Sequence, residues 1–105
     1  KTSLREAEEL TLEFLKANIA ENCIPLCGNS IWQDRRFLVK YMTSVQEYLH
    51  YRIVDVSSVK EISQRWFPKA PTYEAKKGTH RALDDIKESI EELSHYRKTI
   101  FLAQD

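Results

Sequence analysis

The chain has 105 residues, enough for at most one small domain with a modest core. Hydrophobic residues make up 42% and charged residues 30%, the balance of a globular chain and not of a disordered one. Lysine plus arginine and aspartate plus glutamate each count 16, so no global charge draws the chain to nucleic acid or membrane, and any polyanion must be gripped locally.

Apolar runs stay well short of the roughly 20 residues that span a bilayer. There is no secretory pattern, and the chain begins at Lys1 and not at methionine, so a processed or excised start is expected.

In chain order, "TSLREAEELTLEFLKANIAEN" opens on a capping box, Ser3 with Glu6, and continues with Ala7, Leu10, Phe14 and Leu15 at helical spacing. "CIPLCGN" is short and apolar and ends in Gly28-Asn29, which predicts a buried strand and a turn. From Asp34 the period is again helical, with Phe37, Leu38, Tyr41, Met42 and Val45 on one side. "YRIVDVSS" reads as a second strand. Ser58 and Glu61 form another capping box for a helix carrying Val59, Ile62 and Trp66. "FPKAPTYEAKKGT" is a loop, and a final helix runs from about Arg81 into the high nineties.

Strands alternating with helices imply parallel pairing and an α/β fold. Two strands make a thin sheet, since most sheets have about four to six. Cys23 and Cys27 could begin a zinc site by spacing, but a structural site needs about four ligands and no second pair exists. They read as small apolar residues in or beside a buried strand.

Ligands of open parallel sheets bind beyond the carboxyl ends of the strands, where Asn29, Ser30 and Asp34 follow the first strand and Asp55, Ser57 and Ser58 the second. Ser57 and Ser58 can equally be helix caps, and Asp34 can simply favour a helix dipole. In the last helix Leu83, Ile86, Ile90 and Leu93 predict a buried stripe. Asp84 falls nearly opposite that stripe and should be solvated, whereas Asp85 lies on its shoulder near Ala82 and Ser89. His80 can share a site with Asp85 if it sits in the loop ahead of the helix, where Gly78 permits a sharp turn; otherwise it is a surface residue.

Four stretches, "GNSIWQDRRFLVKYM", "HYRIVDVSSVKE", "RWFP" and "HRALDDIKESIEELSHYR", resemble in order the oligoribonuclease family. These are 3′-to-5′ exonucleases that degrade very short RNAs, the histidine variant of the DEDD superfamily. The resemblance implies an α/β, ribonuclease H-like exonuclease fold, here an incomplete part with about two parallel strands and four or more helices, all within one domain. It further implies Asp34 and Asp85 as metal-binding acids and His80 as general base. Ser30, Arg52 and Ser57 are implied to hold the substrate's 5′ phosphate. His50 and Tyr51 are implied to lie near a homodimer interface and to help complete the partner's site, although Tyr51 could be an ordinary strand aromatic. Two Mg2+ or Mn2+ ions per site, short oligoribonucleotide substrates, no membrane or duplex DNA partner and a cytoplasmic location, or a mitochondrial one in a eukaryote, complete the expectation.

Two departures stand out. Trp32 occupies a place where the family often has a small or polar residue, and its bulk could stack on a base or narrow the site. The family's Asp-x-Glu motif, which supplies two more acids, occurs nowhere in this sequence. Asp34 and Asp85 alone could hold one ion weakly but not a bridged pair. The expected function is two-metal hydrolysis of short RNAs in the intact protein, with this chain alone inactive; the alternative is a non-catalytic paralogue or dimerisation module.

Overall fold

The computed structural model describes residues 1–75 and 81–102. It contains α1 (Leu4–Asn18), β1 (Pro25–Gly28), α2 (Ile31–Tyr41), α3 (Thr43–Tyr48), β2 (His50–Asp55), α4 (Val56–Trp66) and α5 (Ala82–Thr99). The strands pair in parallel as a two-stranded sheet. The chain divides into two compact units: residues 1–27 with 31–54, and residues 28–30 with 55–105.

In the first unit, α1 starts as its sequence requires. The Ser3 side chain accepts from the Glu6 amide at 3.1 Å, satisfying one of the helix's orphan donors. Where the sequence predicts one helix from Asp34 through Val45, the structure has two. α2 begins earlier, at Ile31, and the backbone leaves helical geometry at Met42 (φ −136°, ψ 59°) before α3.

Methionine has no side-chain acceptor to cap that restart. Glu8 of α1 provides one, taking the Ser44 amide at 3.0 Å and the Ser44 hydroxyl at 2.6 Å. A carboxylate brought from another helix thus plays the part of a local cap. Tyr48 adds a second tie, donating its hydroxyl to the Ile19 carbonyl at 2.7 Å. Glu8→Ala is expected to cost about 1–3 kcal/mol, because two donors at the α3 start lose their acceptor. Urea unfolding of the chain measures this, and a loss below about 0.5 kcal/mol, the usual size of a neutral surface change, would show the contact to be incidental.

In the second unit, α4 starts at Val56 and not at the Ser58–Glu61 box. Asp55, at the end of β2, accepts from the Ser57 amide at 2.9 Å and caps the helix three residues sooner. The strand delivers that carboxylate to the helix start, which makes the later box redundant.

α4 and α5 pack together. The face of α5 that is covered differs from the apolar stripe. Leu83, Ile86 and Ile90 are 60, 57 and 64% exposed, whereas Glu92 and Tyr96 are buried and Ser89 and Leu93 half-buried. On α4, Val56 and Ser63 are buried while Trp66 is exposed. Polar contacts select the inner face here, since the Tyr96 hydroxyl donates to Glu92 at 2.5 Å and Glu92 in turn is bonded to Asn29. Leu83, Ile86 and Ile90 of the apolar stripe are left as surface, and so are Leu10 and Phe14 of α1. Both cysteines are free and exposed, not buried beside a strand; Cys23 lies in the turn before β1.

Among the described residues no helix is long and apolar enough to cross a membrane.

Candidate functional site

The carboxyl end of β1 runs into a three-residue turn, Gly28-Asn29-Ser30, which belongs to the second unit. Ser30 adopts φ 51°, left-handed backbone that is unusual for a non-glycine residue. Its amide explains how that conformation is held, donating to Asp55 Oδ1 at 2.9 Å and to Ser57 Oγ at 3.1 Å. The Ser30 and Ser57 hydroxyl oxygens stand 3.5 Å apart. Ser57 Oγ donates to Asn29 Oδ1 at 3.0 Å. The Asn29 amide nitrogen donates to Ser89 Oγ at 2.8 Å and to Glu92 Oε1 at 3.2 Å.

The two serines implied to hold a phosphate are therefore neighbours, Ser30 on the turn and Ser57 at the start of α4, with Asn29 tying the turn to the middle of α5. Two adjacent hydroxyls can offer protons to an anionic oxygen, while the Ser30 and Ser57 amides beside them are already taken by the Asp55 carboxylate. Burial, the hydrogen bond to Glu92 and that group's negative charge push the Tyr96 phenol far above its usual range, so it remains a donor.

Sequence reasoning misses Ser89, Glu92 and Tyr96 as parts of this network. The signal is present as polar residues spaced to share one helical row, but a hydrophobic-stripe reading assigns such a row to solvent.

In the first unit, Arg52 is exposed on β2, its guanidinium over the Tyr51 ring at 5.3 Å and its Nε donating to the Tyr51 hydroxyl at 2.9 Å. The His50 and Tyr51 rings stack at 4.7 Å, and His50 Nδ1 accepts the Arg52 amide at 3.1 Å. Tyr51 is 62% exposed. Its carbonyl accepts from Arg35 of α2. These residues form an aromatic and cationic patch able to meet an anion or a ring.

Asp34 is exposed in the first turn of α2, and Trp32, also exposed, lies under the Arg36 guanidinium at 5.9 Å. Asp85 is exposed in the first turn of α5, on the row that continues through Ser89, Glu92 and Tyr96. Asp84 is half-buried and not on a solvated face as its angle suggests. The segment before α5 runs along that side: Tyr73 donates to the Glu88 carbonyl at 3.5 Å, and His95 Nε2 lies 2.8 Å from the Pro71 carbonyl. His80 and Gly78 lie outside the described residues.

Residues 1–93 match the exonuclease family RNase_T, and the chain belongs to that family of exonucleases. It is 52% identical over 101 residues to the oligoribonuclease of Vibrio parahaemolyticus, covering 96% of this chain and 56% of that protein. The oligoribonuclease of Hydrogenovibrio crunogenus is 49% identical over 102 residues, or 97% of this chain and 55% of that protein. For the oligoribonuclease of Escherichia coli K12 the figures are 54% over 94 residues, 90% of this chain and 52% of that protein. The chain thus spans about half the length of the curated relatives it matches. The matched family and the alternating strands and helices agree with the α/β, ribonuclease H-like class expected from the sequence.

A divalent cation of the kind implied by the resemblance asks for several hard oxygen ligands. Asp34 and Asp85 are of the right chemistry. Their number is insufficient, since among the described residues no three His, Cys, Asp or Glu side chains gather to hold an ion. The described part of this chain does not by itself compose a metal site.

Proposed function

We propose that the full-length protein containing these residues is a 3′-to-5′ exoribonuclease acting on very short oligoribonucleotides in the cytoplasm. The observation that carries this reading is half-identity, over nearly all of this chain, to proteins named oligoribonuclease. The reaction is hydrolysis of the 3′-terminal phosphodiester. Water attacks phosphorus, the preceding nucleotide's 3′ oxygen leaves and takes up a proton, and the last nucleotide departs as a 5′-mononucleotide.

In this reading His80 accepts the proton of the attacking water, a task suited to an imidazole that titrates near neutrality. Asp34 and Asp85 contribute two carboxylates toward divalent cations, Mg2+ or Mn2+, with the remaining ligands supplied from outside the described residues. Ser30, Ser57 and Arg52 hold the 5′ phosphate, and the proximity of the two serine hydroxyls supports that assignment. A site that holds the 5′ phosphate of the substrate would restrict the enzyme to short chains. We also propose a homodimer in which the exposed His50–Tyr51–Arg52 patch lies at or near the subunit contact.

Release of 5′-mononucleotide from end-labelled dinucleotides by the full-length protein tests the reading, and absence of release with either metal would reject it. In the same assay Arg52→Ala is expected to raise KM for a 5′-phosphorylated dinucleotide by about 10-fold or more, the loss of a charged hydrogen bond. The 5′-hydroxyl dinucleotide should be little affected. Equal weakening of both would assign Arg52 a structural part.

A further inference from the structure

A serine hydroxyl has one proton to give. In this structure Ser57 gives it to Asn29 Oδ1 at 3.0 Å while accepting the Ser30 amide at 3.1 Å. That direction is imposed from α5. Glu92 is buried, and its carboxylate accepts from both sides, from the Tyr96 hydroxyl at 2.5 Å and from the Asn29 amide nitrogen at 3.2 Å. Because a carboxylate cannot donate, the nitrogen of Asn29 must face Glu92 and its oxygen must face Ser57.

We propose that Glu92 is a positioning residue which, through Asn29, commits the Ser57 proton away from the phosphate and so limits how tightly the 5′-phosphate end is held. This rests on the proposed 5′-phosphate reading of Ser30 and Ser57. To donate to a phosphate oxygen, Ser57 must withdraw its proton from Asn29 and leave that carbonyl oxygen without its partner. The chemical consequence is a deliberately weak grip. Exonucleolytic cleavage of a dinucleotide leaves the 5′ nucleotide with its own phosphate still in this site, and a weak grip lets it depart.

A near-isosteric change reverses the polarity of the whole relay. In Glu92→Gln the Tyr96 hydroxyl still donates, now to the Gln carbonyl oxygen. The Gln amide nitrogen then donates to Asn29 Oδ1, Asn29 turns its nitrogen toward Ser57 Oγ, and the Ser57 proton becomes available to phosphate. Every polar group in the row keeps a partner, so the variant retains the α4–α5 packing.

The test uses the full-length protein, with fluorescence-detected binding of a 5′-phosphorylated and a 5′-hydroxyl dinucleotide in Ca2+ in place of the catalytic metal. Glu92→Gln should raise the preference for the 5′-phosphorylated ligand about fivefold, the net value of one hydrogen bond. Adding Ser57→Ala should erase that gain. Asn29→Ala, which removes the competing acceptor altogether, should move the preference in the same direction and serves if Glu92→Gln is unstable. An unchanged or lowered preference in Glu92→Gln, or in Asn29→Ala where that variant serves instead, would overturn the proposal. If neither Arg52→Ala nor Ser30→Ala in the otherwise unaltered protein lowers the phosphate preference, the phosphate reading itself fails and this inference with it. A preference sensitive to Arg52 or Ser30 with an insensitive Glu92 rejects the relay alone.

Discussion

Replacing His80 with alanine in the full-length protein is expected to lower dinucleotide hydrolysis roughly 100- to 10,000-fold, the range general base catalysis contributes. The chain has three histidines, and the other two are engaged. His95 lies 2.8 Å from the Pro71 carbonyl, with its ring against Tyr73 and Tyr96. His50 Nδ1 accepts the Arg52 amide and its ring stacks on Tyr51. These contacts hold both rings, so neither takes over the part proposed for His80. Initial rates across pH give the check. The unaltered protein should show an acid limb governed by a group near neutrality, and His80→Ala should lose that limb along with the rate. A variant retaining more than a tenth of the activity would remove His80 from the mechanism.

Asp85→Asn should be nearly as damaging, about 100-fold or more, whereas Asp84→Asn should cost less than about 10-fold, since metal-bound charge contributes several kcal/mol to phosphoryl transfer. Burial alone would rank these neighbours the other way, because Asp84 is half-buried and Asp85 exposed. The rows on α5 decide between them. Asp85 continues the line of Ser89, Glu92 and Tyr96, which meets the Asn29 turn. Asp84 continues the line of Glu88 and His95, which the Pro71–Tyr73 segment covers. The half-burial of Asp84 thus goes with a structural side of the helix, and the exposure of Asp85 leaves its carboxylate accessible to an ion. Steady-state kinetics with Mg2+ titration separates the two, through a raised metal requirement for Asp85→Asn. Greater damage from Asp84→Asn would transfer the metal role to that residue and overturn the assignment of Asp85.

The surfaces of α1 and α5 bear on how these tests must be run. Leu83, Ile86 and Ile90 on one helix and Leu10 and Phe14 on another stand exposed, the kind of apolar surface that marks contact regions. The relatives are nearly twice as long as the matched stretch. Activity is for that reason to be measured on the full-length protein, with the 105 residues alone expected to give no hydrolysis.

Local chemistry is written in the sequence wherever a residue's partner lies within a turn of it. Ser3 and Glu6 specify the start of α1, the apolar run before Gly28 specifies β1, and the polar break after Val54 ends β2. The order of motifs around Asp34, Arg52, Ser57 and Asp85 is likewise sufficient to indicate an exonuclease, in agreement with the family matched over residues 1–93. The tertiary structure alone decides the features made by residues distant in sequence. Met42 ends α2 harmlessly because Glu8, 36 positions away from Ser44, caps the start of α3. Asp55 caps α4 locally, but its carboxylate also takes the Ser30 amide, 25 positions away, and so fixes the turn after β1. Glu92, 63 positions from Asn29, turns a polar row of α5 inward at the expense of the apolar stripe beside it. Periodicity counts apolar residues and cannot see a hydrogen-bond partner on another element. With Asn29 and Tyr96 as donors, a buried carboxylate costs far less to enclose than an unpartnered one, and the face it lies on becomes the inner one.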